Sequence, residues 1–352
     1  MKAFEKNIRK VEPYVPGEQP QRKVIKLNTN ENPYPPAPGV TKALEEMDTD
    51  RFRLYPDPTA APLVNALADF YHVNPDQVFV GVGSDDVLSM CFLTFFNSEK
   101  PIFFPDITYS FYSVWADLYR IPYECQKLDE DFKLVKEDYY KENGGVIFPN
   151  PNAPTGIYED LSVVEDIIAH NQDVIVIVDE AYIDFAGRSA LELIDKYDNL
   201  IVVQTFSKAR SMAGMRIGYA ISNPTLIKYL NDAKYSFNSY TMNQTSIVCG
   251  VEAVKDKEYF ENGVRKIVET REWAKEELTK LGFTYLDSGS NFIFAKHPKY
   301  DAKELFEALK AHDIYVRFWG SERIEQYMRI TIGTREEMEQ LFAFLKEYMK
   351  NK

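Results

Sequence analysis

Lys208 lies in a short polar stretch, TFSKARSMAGMR, that follows the apolar run Leu200–Val203. Hydroxyl side chains precede it at Thr205 and Ser207, and Arg216 follows eight residues after it. A lysine amine can condense with an aldehyde and can act as a general base once it is released. Hydroxyls and a guanidinium together bind phosphate. The stretch therefore predicts Schiff-base chemistry at Lys208 beside a bound phosphate group.

Asp179 is a second candidate, because it ends the apolar run VIVIV and is followed by EAY. A carboxylate at the edge of a buried strand is costly unless it is paired. A protonated ring nitrogen would be a suitable partner, and Tyr182 could hydrogen-bond an oxygen on the same ring. The alternative is that the carboxylate of Asp179 bonds to nearby backbone amides.

Ser84 and Asp85 follow the strand-like run VFVGVG and open a segment with apolar residues at helical spacing. The exposed amides at the start of a helix attract anions, so a phosphate site is one interpretation and simple capping by Ser84 is the other. The run begins like the dinucleotide fingerprint GxGxxG, but Asp86 stands where its third glycine belongs. A dinucleotide-dependent oxidoreductase is therefore a weak alternative.

Two further candidates follow predicted strand ends. Tyr109, in FPDITYSFY, could stack on a planar heterocycle. Asn152 lies in the rigid loop FPNPNAPTG and could direct its amide into a cleft. Open α/β sheets bind ligands at such strand ends.

The segments that position these residues are short apolar runs separated by longer amphipathic stretches. They predict strands buried on both faces of a mostly parallel sheet, and hence an α/β fold. The predicted strands lie in QVFVGVG, PIFFP, GVIFPNP, VIVIVDEAY, LIVVQTFSK and RIGYAISN.

The two ends of the chain differ from this pattern. Residues 1–40 are rich in Pro and Asn and predict an arm with a short strand near Val24–Leu27. Residues 266–352 predict a small α+β domain around an antiparallel sheet, with strands in TYLDSGSNFIFAK, IYVRF and YMRITIGT and helices between and after them. Residues 41–265 then form the large domain.

Composition excludes several classes of function. The chain of 352 residues has a formal net charge of −13, which argues against nucleic acid or an anionic membrane as the main partner. We expect no signal peptide, membrane span or metal site, since neither a long apolar run nor a metal-ligand spacing of the four histidines is present. Three scattered cysteines, Cys91, Cys125 and Cys249, predict free thiols and a cytoplasmic location.

Taken together, these residues give the chain a strong resemblance to the fold-type I aminotransferases that depend on pyridoxal 5′-phosphate. The resemblance spans nearly the whole chain, in the motifs LNTNENPYPP, RLYPDP, NPNAPTG, VDEAY, TFSKA, MRIGY and MRITIGT. It implies a large domain with a mostly parallel seven-stranded sheet flanked by helices, plus a small α+β domain.

The resemblance also implies roles for the candidates. Lys208 would bind the cofactor aldehyde and move the substrate proton, and Asp179 would pair with the ring nitrogen. Tyr182 and Asn152 would hold the ring hydroxyl, and Tyr109 would stack on the ring. The phosphate would be held by Ser84, Asp85, Thr205, Ser207, Arg216 and, from a second subunit, Tyr55, which implies a homodimer with shared sites.

Within this family the chain is most similar to members that act on histidinol phosphate. The implied reaction is transamination of L-histidinol phosphate with 2-oxoglutarate, in histidine biosynthesis. Arg317 and Arg329 would bind the anionic groups of both substrates, with Tyr14 and Asn30 completing the pocket. For each arginine, a surface ion pair is the alternative.

The chain departs from the family pattern at a few positions. Ala153 replaces the usual second asparagine of the NPNNPTG loop, Asp86 replaces a more common glutamate, and Asp106–Thr108 lacks a frequent proline. These departures leave two related activities open, an aromatic amino-acid aminotransferase and a threonine-phosphate decarboxylase.

Overall fold

A computed structural model describes residues 2–351. Its α-helices are α1 (Pro38–Glu45), α2 (Ala61–Tyr71), α3 (Ser84–Phe95), α4 (Phe111–Tyr119), α5 (Leu161–Ala169), α6 (Pro224–Phe237), α7 (Gln244–Lys255), α8 (Lys257–Lys280), α9 (Ala302–Ala311) and α10 (Arg335–Lys350). Its strands are β1 (Ile25–Lys26), β2 (Val78–Gly81), β3 (Ile102–Pro105), β4 (Tyr123–Gln126), β5 (Val146–Pro149), β6 (Val176–Asp179), β7 (Leu200–Thr205), β8 (Gly218–Ile221), β9 (Thr284–Tyr285), β10 (Phe292–Lys296), β11 (Ile314–Tyr315), β12 (Arg317–Phe318) and β13 (Met328–Thr331).

The centre of the molecule is a seven-stranded sheet in the order β2-β8-β7-β6-β5-β3-β4. Neighbouring strands from β7 to β4 pair in parallel, whereas β8 is antiparallel to both β7 and β2. The prediction of a mostly parallel sheet in an α/β fold is therefore confirmed.

Helices cover both faces of this sheet, which explains why its strands read as continuous apolar runs. Alternate residues of β6 point to opposite faces: Val176 and Val178 pack with α2, α5 and α7, and Ile177 packs with α3, α4 and α6. Both faces of the strand are therefore shielded from water, which explains why apolar residues occupy both sets of alternating positions.

A smaller antiparallel sheet, in the order β12-β13-β10-β9, forms the second unit. Its core packs against α8, α9 and α10 through residues such as Phe292, Ile330 and Leu341. The arm is joined to this unit, because β1 pairs in parallel with β11. The predicted α+β arrangement and the short strand in the arm are both found.

The structure differs from the sequence-based prediction in three places. β4 was missed, since three of its four residues are exposed at the sheet edge and form no apolar run. IYVRF divides into β11, which pairs with the arm, and β12, which pairs with β13. The predicted boundary near residue 265 falls within α8, which packs on both cores through Tyr259 and Ile267.

Over residues 2–351, no helix has the length and apolar character required to cross a lipid bilayer. The same residues contain no group of three or more His, Cys, Asp or Glu side chains arranged to hold a metal ion.

Candidate active site

The candidate residues gather at one edge of the central sheet because the parallel strands all end there. Tyr109 follows β3, Asp179 ends β6 and Lys208 follows β7. At the same edge, β2 is followed by α3, which begins at Ser84. Two cavities open at this edge and share the side chains of Tyr109, Tyr182 and Lys208.

We call the first the inner cavity. Its polar lining consists of Thr29, Glu31, Ser84, Asp85, Tyr109, Asp179, Tyr182, Thr205, Ser207, Lys208 and Arg216. We call the second the outer cavity, which has a volume of about 670 Å³. Its polar lining includes Tyr14, Asn28, Asn30, Asp106, Lys127, Arg317, Trp319, Glu322, Arg323 and Arg329.

Asp179 is only 4% exposed and forms no ion pair within residues 2–351. Its Oδ2 accepts a hydrogen bond from the Tyr112 hydroxyl at 2.8 Å, and its Oδ1 accepts one from the Ala181 amide at 3.3 Å. Burial raises the pKa of the Asp179 carboxyl to about 6, although the bond from Tyr112 opposes this rise. The site therefore holds a buried acid that a cationic ligand would stabilise.

The Tyr182 side chain is fixed by a hydrogen bond from the arm. The amide nitrogen of Asn30 donates to the Tyr182 hydroxyl at 2.8 Å, and Thr331 donates to the amide oxygen of Asn30 at 3.0 Å. Because the Tyr182 oxygen accepts this bond, its own proton is available to a ligand. Asn30 thus lines the outer cavity, but its amide nitrogen is directed to Tyr182.

Lys208 lies where the two cavities meet. Its Nζ donates to the backbone oxygen of Thr29 at 3.3 Å and lies 5.6 Å from the centre of the Tyr182 ring. Asn32 donates to the backbone oxygen of Lys208 at 3.1 Å, so the arm also fixes the loop that carries the lysine. The amine faces both cavities and forms no ion pair with a carboxylate of residues 2–351.

One end of the inner cavity can bind an anion. Helix α3 begins after Gly83 without a side-chain cap, so the predicted capping by Ser84 is not found. Arg216 approaches the backbone of Gly83 closely, since a Cβ built on Gly83 would lie 2.3 Å from its guanidinium. The same guanidinium donates to Ser207 at 3.4 Å and to Asp85 at 3.3 Å.

Tyr109 connects this anion-binding end to the sheet edge. Its hydroxyl donates to Asp85 at 2.7 Å, and its ring packs edge-on against Tyr112 with centroids 5.8 Å apart. Burial, together with the nearby Asp85, raises the pKa of the Tyr109 phenol. The ring is therefore a neutral, fixed wall of the inner cavity.

The outer cavity is rich in cations in an otherwise acidic protein. Arg317 and Arg329 face each other across β12 and β13. Lys127 and Arg323 line the same cavity, and of these four cations only Arg323 has an ion pair in the described chain, with Asp106 at 2.9 Å. The surface ion pairs considered for Arg317 and Arg329 are absent from residues 2–351.

Asn152 lies elsewhere than predicted. Its amide nitrogen donates to the Ile107 oxygen and to the Thr155 hydroxyl, both at 3.0 Å, and it lines neither cavity. The next residue, Ala153, lines both cavities instead. The difference arises because the amide of Asn152 closes its own loop and leaves no donor for a ligand.

Tyr55 is also remote from both cavities of its own chain. Its side chain is 80% exposed and stacks on Tyr240 with ring centroids 4.5 Å apart. Tyr14, in contrast, lines the outer cavity and stacks on Phe111 at 4.2 Å. A contribution of Tyr55 to a site would require a second copy of the chain.

Three residues of the site were missed from the sequence. Tyr112 is one helical turn beyond Tyr109, and that spacing was the available signal for a second ring facing the site. Trp319 follows Arg317 by two residues and so shares its side of the extended chain. Thr29 acts through its backbone oxygen, for which side-chain type gives no signal.

The chain is similar to known proteins over nearly its whole length. Residues 22–345 match the family described as "Aminotransferase class I and II". The histidinol-phosphate aminotransferase of Lactococcus lactis subsp. cremoris (strain MG1363) is 52% identical over 351 residues, which cover 99% of each chain. That of Brachyspira hyodysenteriae (strain ATCC 49526 / WA1) is 50% identical over 354 residues, covering 100% of each.

A solved structure has the same fold. Histidinol-phosphate aminotransferase from Sinorhizobium meliloti, in complex with pyridoxal-5′-phosphate, matches with a TM-score of 0.84 and 25% sequence identity. The match covers 94% of this chain and 92% of that chain.

Proposed function

Because the chain belongs to the class I and II aminotransferase family, we propose that it transfers the amino group of L-histidinol phosphate to 2-oxoglutarate. The products are imidazole acetol phosphate and L-glutamate, in histidine biosynthesis. The observation that carries the proposal is that Lys208 lies between an inner cavity with a buried acid and an outer cavity in which Arg317 and Arg329 have no ion pair within residues 2–351.

The inner cavity fits pyridoxal 5′-phosphate. A buried, unpaired Asp179 matches the ring nitrogen, and Lys208 matches the aldehyde. The uncapped start of α3 and the Arg216 guanidinium match the phosphate. Asp85 beside Arg216 is the one acidic group at that end, and the Tyr109 hydroxyl and Arg216 both donate to it.

When bound, pyridoxal phosphate supplies an aldehyde that condenses with amines and a ring that draws electrons from the substrate α-carbon. The released Lys208 Nζ would serve as the general base that accepts the α-proton of the substrate and donates it back later in the transfer. Its position supports this role, since Lys208 lines both cavities.

Asp179 holds the charge that this chemistry requires. Its ionised carboxylate would pair with a protonated ring nitrogen, and the Tyr112 hydroxyl stabilises the ionised form. Tyr182 would donate its free proton to the ring oxygen, because Asn30 already occupies a lone pair of its hydroxyl. The arm therefore acts on the cofactor through Tyr182.

Substrate selection is assigned to the outer cavity. Both substrates carry anionic groups, which are a phosphate in histidinol phosphate and two carboxylates in 2-oxoglutarate. Guanidinium groups bind both kinds of anion with two parallel hydrogen bonds. Arg317 and Arg329 are free of acidic partners within the described chain and can serve this purpose.

We also propose a homodimer with shared sites and a cytoplasmic location. The dimer is supported by exposed apolar side chains, namely Leu44, Phe52, Leu54, Phe237 and Tyr240, of which Tyr240 stacks on Tyr55. Exposed apolar side chains favour association with a second copy, in which Tyr55 would reach the partner's phosphate end. The buried thiols of Cys91 and Cys249 fit a reducing compartment.

Steady-state kinetics with purified protein test the reaction. We expect glutamate formation from histidinol phosphate and 2-oxoglutarate, with kcat/KM at least about tenfold above that for phenylalanine as donor. Lys208→Ala should lose this activity while it still binds the cofactor without a covalent link. Faster turnover of phenylalanine would favour an aromatic aminotransferase, and release of carbon dioxide from threonine phosphate would favour the decarboxylase.

A further inference from the structure

Two arginines of the outer cavity are neighbours in the small sheet although their side chains carry the same charge. Arg317 and Arg329 are directly opposite in the register of β12 and β13. Like charges at opposed positions of an antiparallel pair destabilise it. No ion pair offsets this repulsion at either arginine in residues 2–351, so another contact must hold the two side chains in place.

Trp319 supplies that contact. Its ring lies 5.3 Å from the Arg317 guanidinium and 5.0 Å from that of Arg329. Guanidinium groups at this distance from an indole are attracted by its ring electrons. For Arg317, this ring is the single side-chain interaction that the described residues provide.

Arg329 is held more firmly than Arg317. It donates to the Asn28 oxygen at 3.0 Å and also lies 5.2 Å from the Phe292 ring. Its buried Nε has no hydrogen-bond partner in the described chain. Burial lowers the pKa of Arg329, and the charge on Arg317 adds to this. An incoming anion would satisfy the free donor and relieve the repulsion.

We propose that Trp319 is a specificity-determining residue that holds Arg317 and Arg329 towards the outer cavity, where they can bind the phosphate of histidinol phosphate or the carboxylates of 2-oxoglutarate. The inference rests on the proposed function, since it assigns the outer cavity to the donor and acceptor substrates. Trp319 acts through the arginines: it does not take part in proton transfer, but it fixes the spacing of two positive charges. It thereby favours phosphate- and dicarboxylate-bearing substrates over amino acids with an uncharged aromatic side chain, which we call neutral donors.

The test compares Trp319→Leu, which removes the ring electrons, with Trp319→Phe, which keeps an aromatic face. We expect Trp319→Leu to raise KM for histidinol phosphate and 2-oxoglutarate about tenfold, with kcat changed by less than about twofold. kcat/KM for phenylalanine should change by less than about twofold. Trp319→Phe should recover part of the lost affinity.

Trp273→Leu is the matched control. Trp273 also lies against a guanidinium, that of Arg335 at 3.4 Å, but it lines neither cavity. We expect no change in the ratio of kcat/KM between anionic and neutral donors. Thermal unfolding of all three variants separates a loss of folded protein from a loss of affinity.

Calorimetric binding of 2-oxoglutarate to the cofactor-loaded protein gives a second measurement that needs no turnover. The two proposals can fail separately. If the unmodified protein does not turn over histidinol phosphate but Trp319→Leu binds 2-oxoglutarate more weakly, the proposed reaction is wrong and the role of Trp319 stands. Equal losses for anionic and neutral donors, or unchanged 2-oxoglutarate binding, would overturn the role of Trp319 and leave the proposed reaction intact.

Discussion

At the residue scale, the Asp179 carboxylate depends on one hydroxyl that the sequence did not identify. The bond from Tyr112 counteracts the rise in pKa that burial causes. Without this donor, the carboxyl would become neutral at a higher pH and would lose its charge towards a ring nitrogen. Tyr112 is therefore a positioning residue for the buried acid.

We expect Tyr112→Phe to weaken cofactor binding about tenfold at neutral pH, because a hydrogen bond to a charged group is lost. The pH below which cofactor dissociates should also rise, since the pKa of Asp179 increases further. Absorbance titration of apoprotein with pyridoxal phosphate measures both effects. Tyr139→Phe is the control, because the buried Tyr139 hydroxyl has no hydrogen-bond partner in the described residues; an equal effect there would contradict this account.

Gly83 permits the close approach of Arg216 to the start of α3. Its φ of 89° is unfavourable for other residues, and an added Cβ would lie 2.3 Å from the guanidinium. Gly83→Ala should cost roughly 1–3 kcal/mol of unfolding free energy and should displace Arg216 from the phosphate end. Denaturant unfolding and cofactor titration check the two effects.

Gly214→Ala serves as the comparison, because nothing lies within 4 Å of a Cβ at that position. It should leave stability and cofactor affinity nearly unchanged. If both glycine variants behaved alike, the tight approach of Arg216 would not be the cause.

The sequence indicated positions at the sheet edge for the candidates that end or follow buried strands, and their chemical roles stay predictions. Asp179, Lys208 and Ser84 could be found because a parallel sheet brings its strand ends to one edge. Asn152 could not be placed, because the direction of an amide in a loop depends on tertiary partners such as the Ile107 oxygen. Asn30 was assigned to the substrate, whereas its nearest polar contact is the Tyr182 hydroxyl.

At the scale of elements, β6 and β7 carry a buried polar network behind the site. Glu180 accepts hydrogen bonds from Ser189 at 2.6 Å, from the Ala190 amide at 2.7 Å and from Gln204 at 2.8 Å. Burial nevertheless raises the pKa of Glu180 to about 7. The carboxyl links the loop after β6 to β7, and so joins the segments that bear Tyr182 and Lys208.

The raised pKa predicts how stability depends on pH. Between pH 4.5 and about 7, the folded protein binds a proton at Glu180 that the unfolded chain has released. The contribution of this group is thus complete below pH 4.5 and is lost as pH rises through 7, by up to roughly 3 kcal/mol. Denaturant unfolding of Glu180→Gln should show a smaller decrease over this range; an unchanged decrease would place the titrating group elsewhere.

Elements with strong periodicity were predicted correctly, and those defined by their partners were not. The strands from β5 to β8 are mainly apolar because helices cover both faces, and the polar residues of β6 and β7 lie at their carboxyl ends. β4 has exposed residues and is a strand only because β3 offers it a parallel edge. β11 and β12 are separated by Val316 because they pair with different partners, which no local pattern records.

At the scale of the whole molecule, a shared site can be tested by mixing two inactive variants. We expect Lys208→Ala and Tyr55→Ala homodimers to have little activity, because each lacks a group at both sites. In a hybrid dimer the two defects fall in one site and leave the other complete. Equal mixing after reversible dissociation should then restore roughly a quarter of the native activity.

Size-exclusion chromatography at several protein concentrations accompanies this experiment. A monomeric protein, or hybrids that regain nothing, would show that Tyr55 acts within its own chain or not at all. Because the Tyr55 side chain is exposed, the described geometry is incompatible with a role of Tyr55 in the site of its own chain.

The pairing of β1 with β11 has a consequence for biosynthesis. Ile25 pairs with Ile314, so the arm that positions Lys208 and Tyr182 must wait for a partner strand that is synthesised much later. A ribosome will have released most of the large sheet before that partner emerges. We therefore expect nascent chains shorter than this to be folded in part yet unable to retain the coenzyme.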